Sequence, residues 1–95
     1  MKKYVVQNGI WLIEIQGIYL LAADREGRKF CPYLRQLNEV GVFVWKDLEK
    51  EKSTDEICSH IRQEFEVPES VDIGKDVISF LELLKECNYV IEKEF

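Results

Sequence analysis

Leu37-Asn38-Glu39-Val40-Gly41-Val42-Phe43-Val44-Trp45 is the stretch that divides the chain. Residues before it read as β-type and residues after it read as helical. Asn38 is a good helix N-cap, because its short polar side chain can accept from an otherwise unpaired amide of the first turn. Leu37 can staple onto Val42 across that cap. Val40, Phe43, Val44 and Leu48 then recur at helical spacing and predict a buried stripe.

Towards the N-terminus, Ile10 to Gln16 alternates poorly but is rich in β-branched and aromatic residues, as is Ile18 to Ala22. Gly17 after Gln16 breaks the two runs and predicts a tight hairpin. Asp24 to Lys29 is charged, contains Gly27 and reads as a turn or exposed loop. Phe30 to Leu37 is expected as a third strand, with Tyr33, Arg35 and Leu37 on one face and Leu34 and Gln36 on the other. Pro32 cannot donate a ladder bond, which puts it at a strand start or an edge.

Towards the C-terminus, Glu49 to Lys52 is a polar stop. Ser53-Thr54-Asp55-Glu56 is a capping box and opens a helix carrying Ile57, Ile61 and Phe65 on one face. Val67-Pro68-Glu69 ends it. Ser70 is expected to cap a third helix with the stripe Ile73, Val77, Phe80, Leu81 and Leu84. Asn88 suits a left-handed stop. Tyr89-Val90-Ile91 follows, as a short tail strand or packed on the core. The expected fold is α+β: a three-stranded antiparallel sheet followed by three helices, in one domain spanning residues 1–95. Such a sheet has two edges unless something covers them.

Composition narrows the function. The hydrophobic share is 46% and the charged share 33%, which suits a globular chain rather than a disordered one. A net charge of −5 gives no help on a phosphate backbone, and no Lys/Arg run exceeds Lys2-Lys3 or Arg28-Lys29. Cys31, Cys58 and Cys87 are odd in number and widely spaced, which suits reduced thiols better than a disulfide framework or zinc knuckle. The N-terminus has no apolar signal core, and the longest apolar run, Ile18 to Ala23, is far short of a membrane span. These features predict a cytoplasmic protein without a membrane segment.

No catalytic constellation emerges. His60 is the sole histidine and is expected on the solvated side of its helix. Cys58, two residues before it, does not share its face. The carboxylates Glu64, Glu66 and Glu69, and the pair Glu82 and Glu86, read as solvated faces. The five glycines are scattered and make no phosphate loop. No metal, cofactor or catalytic residue is expected, and hence no enzyme.

The nine residues quoted at the start resemble the hallmark of the PqqD-like family: Leu-Asn, an acidic or polar residue, a small residue and then a tryptophan in a helix. Ser53-Thr54-Asp55-Glu56-Ile57 is similar to the family's second-helix start. Phe65-Glu66-Val67-Pro68 is similar to the link that follows it, and Asp76-Val77 with Phe80-Leu81 and Leu84 to its third helix. Asn88-Tyr89-Val90 stands where the family usually has a glycine, a mild departure because asparagine tolerates the same backbone. The resemblance runs over residues 10 to 91.

The resemblance implies a winged-helix-like fold and a binding function, the recognition of ribosomally made precursor peptides. A leader segment is added as a strand along the third strand and lies against the third helix, for presentation to a radical SAM enzyme, a cyclodehydratase or a leader peptidase. Position by position, it implies contacts from Tyr33, Leu34, Arg35, Gln36 and Leu37. It adds Asp76, Ser79 and Leu83 on one flank of the third helix and Ile78 on the other. A proline at Leu34 or Arg35 is then expected to remove a ladder bond to the peptide.

Two rivals stand beside this. A winged-helix DNA-binding regulator needs a basic recognition helix, but Lys75 and Lys85 are outweighed by Asp72, Asp76, Glu82 and Glu86. A subunit of a larger enzyme, without peptide grip, needs a docking surface, for which exposed Trp11 and Trp45 are the candidates. The open sheet edge also allows a homodimer.

Overall fold

The computed structural model describes residues 2–29 and 34–94. Its elements in chain order are β1 (Lys2–Val6), β2 (Ile10–Ile15), β3 (Ile18–Ala23), β4 (Arg35–Leu37), α1 (Glu39–Glu49), α2 (Thr54–Glu64), α3 (Ile73–Glu86) and β5 (Val90–Glu94). β2, β3 and β4 form an antiparallel sheet in that order, and β1 pairs antiparallel with β5 in a second, two-stranded sheet. The α+β class and the three-stranded antiparallel sheet ahead of three helices are as expected. The second sheet was not. Lys2–Val6 offers only the short run Tyr4-Val5-Val6 as a strand signal, and its partner lies at the far end of the chain.

The β2–β3 hairpin turns on Gln16 and Gly17, with φ of 50° and 80°. Two consecutive positive-φ residues make a type I′ turn, whose twist matches the strands it joins. Gly17 takes this conformation without steric cost. The expected third strand is ordered as β4 over Arg35–Leu37; Phe30, Cys31, Pro32 and Tyr33 lie outside the described residues.

The two-residue turn also sets which backbone groups pair. Ile15 and Ile18 close it as a hydrogen-bonded pair, and bonded and non-bonded pairs then alternate along the ladder. Two observed bonds follow this phase: Asp24 N–H donates to the Gly9 carbonyl at 2.8 Å, while Ile10 N–H turns away to the Gln7 carbonyl at 3.3 Å. Tyr19 and Leu21 therefore aim their backbone groups at their β4 partners, Leu37 and Arg35. Gln36, opposite Leu20, is left with its N–H and C=O pointing out of the sheet.

Asn38 caps α1 by accepting from the Gly41 amide at 2.8 Å. Ser53 and Glu56 form the reciprocal capping box of α2. The cap of α3 is Asp72, which accepts from Gly74 N–H at 3.1 Å, rather than Ser70. Ser70 lies in the preceding turn, and aspartate adds its charge to the positive end of the helix. Asn88 has φ of 65° and forms the left-handed stop.

The core gathers the inner face of the large sheet (Ile10, Leu21, Leu37), all three helices and Tyr4, Tyr89 and Val90. α2 and α3 bury the expected residues Ile57, Ile61, Ile73, Val77, Leu81 and Leu84, with Phe65 and Phe80 packed at the margin. On α1 the buried face is turned from expectation. Trp45 is fully buried and Val42 joins it, whereas Val40 is exposed. Helical spacing alone allows either face here, since apolar residues run almost unbroken from Val40 to Trp45. Trp45 therefore offers no docking surface, while Trp11 is 57% exposed.

Candidate functional site: the β4 edge and the facing side of α3

β4 is an edge strand of its sheet, and Gln36 is the residue whose backbone groups, among the described residues, are free to bond a further strand. A proline at Arg35 would thus break the ladder to β3 rather than one to a ligand, which corrects the sequence expectation. Side chains alternate across the strand. Gln36 is exposed, Arg35 half-buried on the inner side, and Leu37 is 5% exposed in the core. Leu37 can offer only backbone at this site. Leu34, just before the strand, is 65% exposed. Tyr33 lies outside the described residues.

α3 runs past this strand. Arg35 NH2 reaches Cys87 Sγ at the helix end at 4.0 Å. At the start of the helix, Asp76, Val77 and Phe80 face the first turn of α1 across a cavity of about 400 Å³. Its walls are Val40, Gly41, Val44, Ile61, Phe65, Val67 and Ile73, with Asn38 and Asp76 as polar members. At helical spacing, Asp76, Phe80, Leu83 and Cys87 form one continuous flank. Ser79 borders it, exposed, and Leu83 is 41% exposed midway along it.

Ile78, 46% exposed, is on the opposite flank. That side belongs to the small sheet. Glu82 accepts from the Tyr4 hydroxyl at 2.6 Å, and Lys85 donates to Glu92 of β5 at 3.2 Å. Burial, with the Glu82 contact next, pushes the Tyr4 hydroxyl well above the usual phenol range. The Glu92 hydrogen bond and the Glu82 charge hold Lys85 in its charged form. The structure thus brings Leu34, Arg35, Gln36, Asp76, Ser79 and Leu83 to one side and places Ile78 on the other.

Sequence reading missed the cavity lining from α1 and α2, Val40, Gly41, Val44, Ile61, Phe65 and Val67, because one helix stripe does not show where three helices splay apart. Val40 gave a late signal: an apolar residue in a helical run that the core does not need.

His60 is not simply solvated. Its Nδ1 lies 2.8 Å from Oδ2 of Asp47, a carboxylate only 5% exposed, and its ring meets Phe43 edge-on at 6.4 Å. This pair ties α1 to α2. Burial, with the Asp55 charge next, raises the Cys58 thiol, which keeps it un-ionised. Among the described residues no three His, Cys, Asp or Glu side chains converge as a metal site, and no helix is long and apolar enough to cross a membrane.

Residues 32–90 match the family described as Coenzyme PQQ synthesis protein D (PqqD). A solved structure, "Lasso peptide synthetase B1 complexed with the leader peptide", is similar at a TM-score of 0.74, with 19% identity, 94% of this chain and 98% of that chain covered. At that identity the likeness is one of fold. No curated protein matches the chain.

Proposed function

This chain belongs to the PqqD family, and from that premise we propose that it binds the leader segment of a ribosomally synthesised precursor peptide and presents it to a modifying enzyme. The observation that carries the reading is the outward backbone of Gln36 on an edge strand beside a helix flank and an apolar cavity. The leader pairs with β4 through the Gln36 N–H and C=O and continues the sheet. Strand addition draws affinity from main-chain bonds and specificity from the side chains between them. Every second leader side chain then points to α3, where Leu83 and Phe80 give apolar contact and the cavity beyond Asp76 accepts an apolar anchor. Support comes from the similar fold of a protein that is itself complexed with a leader peptide.

The groove is charged unequally along its length: Asp76 stands at the cavity end and Arg35 at the Cys87 end. A leader with a basic residue near its apolar anchor and an acidic one further along suits it. The reading assigns no turnover to this chain; chemistry belongs to the partner, a radical SAM enzyme, cyclodehydratase or leader peptidase. A cytoplasmic setting fits a task on newly made peptides.

The test is calorimetric titration with synthetic candidate leaders, chosen from any short open reading frames that flank the chain's own gene. Saturable one-to-one binding without change to the peptide supports the reading, and no binding by the folded protein refutes it. The DNA-binding alternative gains nothing from α3, whose exposed positions include Asp76 and Glu86, with Asp72 exposed at its cap.

A further inference from the structure

Among the described residues, the outer face of the three-stranded sheet takes no part in the core. The cross-strand pairs Trp11–Ala22, Ile13–Leu20 and Ile15–Ile18 stand on it, and none of these six residues packs into the core cluster. Trp11, Ile15 and Ile18 are 57%, 54% and 46% exposed. All six are apolar in a chain of net charge −5. Their exposed surface is on the order of 400 Å², within the range that marks an interaction site on a small protein. Trp11 is also fixed in place. Its indole N–H donates to Asp24 Oδ2 at 3.1 Å, and Asp24 Oδ1 accepts from Gly27 N–H at 2.9 Å. An exposed tryptophan already held in one orientation loses little freedom on binding, which suits an interface anchor.

We propose that a second copy of this chain docks on this face, sheet against sheet about a twofold axis. Charge, shape and area together select that partner. The six positions carry no charge, so the centre of the contact is free of like-charge repulsion, with the Asp24 carboxylate bonded to Trp11 at its edge. Antiparallel sheets pack face to face in aligned sandwiches, and a twofold contact needs one self-complementary patch. Two such faces together remove roughly 800 Å² of apolar surface from water, and a polar rim takes the total towards the ~1,200 Å² at which specific interfaces begin. That is the size of a weak, reversible contact. The α3 groove lies behind the sheet, so the dimer leaves it open and does not rest on the peptide-binding reading.

Sedimentation velocity on the full chain, from low micromolar to millimolar concentration, tests this alongside tryptophan emission. The expected result is a rise from monomer to dimer, with emission moving to the blue as Trp11 is covered and buried Trp45 as a constant background. Ile15→Lys and Ile18→Glu change exposed residues, so circular dichroism is expected to stay native while each raises the dimer midpoint at least tenfold. A wild-type chain that stays monomeric at the highest concentration overturns the proposal. So does a dimer that both variants form as readily as wild type, since the contact would then lie on a strand edge. Leader titration of the same variants separates this outcome from failure of the peptide reading.

Discussion

Arg35 and Cys87, fifty-two residues apart in sequence, meet at 4.0 Å between NH2 and Sγ. This contact joins the edge strand to the last turn of α3 and closes one end of the groove whose other end is the cavity beside Asp76. The geometry separates residues that hold the fold, such as Leu37, from exposed residues that the proposed peptide would meet, such as Gln36 and Leu83.

Gln36→Pro removes the one outward N–H of β4. The expected outcome is at least a tenfold loss of leader affinity by calorimetry, which corresponds to about 1.4 kcal/mol, with thermal unfolding close to wild type. Arg35→Pro instead removes a bond to β3 and is expected to lower the unfolding temperature itself. If Gln36→Pro binds the leader fully, the peptide does not pair with this strand.

Leu83→Lys and Ile78→Lys make the same change at similar exposure on opposite flanks of α3. Both are expected to leave stability within about 0.5 kcal/mol in urea unfolding, as surface changes usually do. Only Leu83→Lys is expected to weaken leader binding. Equal losses would mean that the groove is not confined to the β4 side.

His60→Ala leaves the Asp47 carboxylate buried without its imidazole partner. Loss of a partner to a buried polar group costs about 1–3 kcal/mol, and chemical denaturation is expected to show a loss in that range. Leader affinity is expected to hold, because this pair lies outside the groove.

Asp24 carries a pH prediction. The Gly27 amide, and after it the Trp11 indole, holds its carboxyl below the usual carboxylate range. A group with a depressed folded pKa stabilises above its unfolded value and loses that contribution as pH falls through the folded one. Acid titration of Trp11 emission is therefore expected to show a transition below the ordinary aspartate range, absent in Asp24→Asn. Glu56, held down by the Ser53 backbone amide, adds a loss of the same sign.

Most of this arrangement was legible in the chain because it rests on local chemistry. Asn38, Ser53 and Glu56, Gly17 and Asn88 each act within a few residues, and each took its expected place. What was not legible depends on distant partners. Lys2–Val6 becomes a strand only because Val90–Glu94 lies beside it. The unbroken apolar run of α1 left its buried face undecided until the sheet and the other helices were present. β2 alternates poorly because its outer residues Trp11, Ile13 and Ile15 are apolar, as are Ile10 and Leu12 on the inner side; the sequence shows the run but not which face the core takes. At the site, the edge strand and the residues of α3 were named from the resemblance. The choice of flank needed the Arg35–Cys87 contact, and the role of Gln36 needed the phase of the ladder.

The central claim is that a leader peptide continues the sheet at Gln36. Amide hydrogen exchange followed residue by residue, with and without saturating leader, tests it most directly. The Gln36 amide, outward-facing in the free protein, is expected to become strongly protected on binding, while Arg35 and Leu37, already bonded to β3, change little. Saturated binding with the Gln36 amide exchanging as fast as before would contradict it.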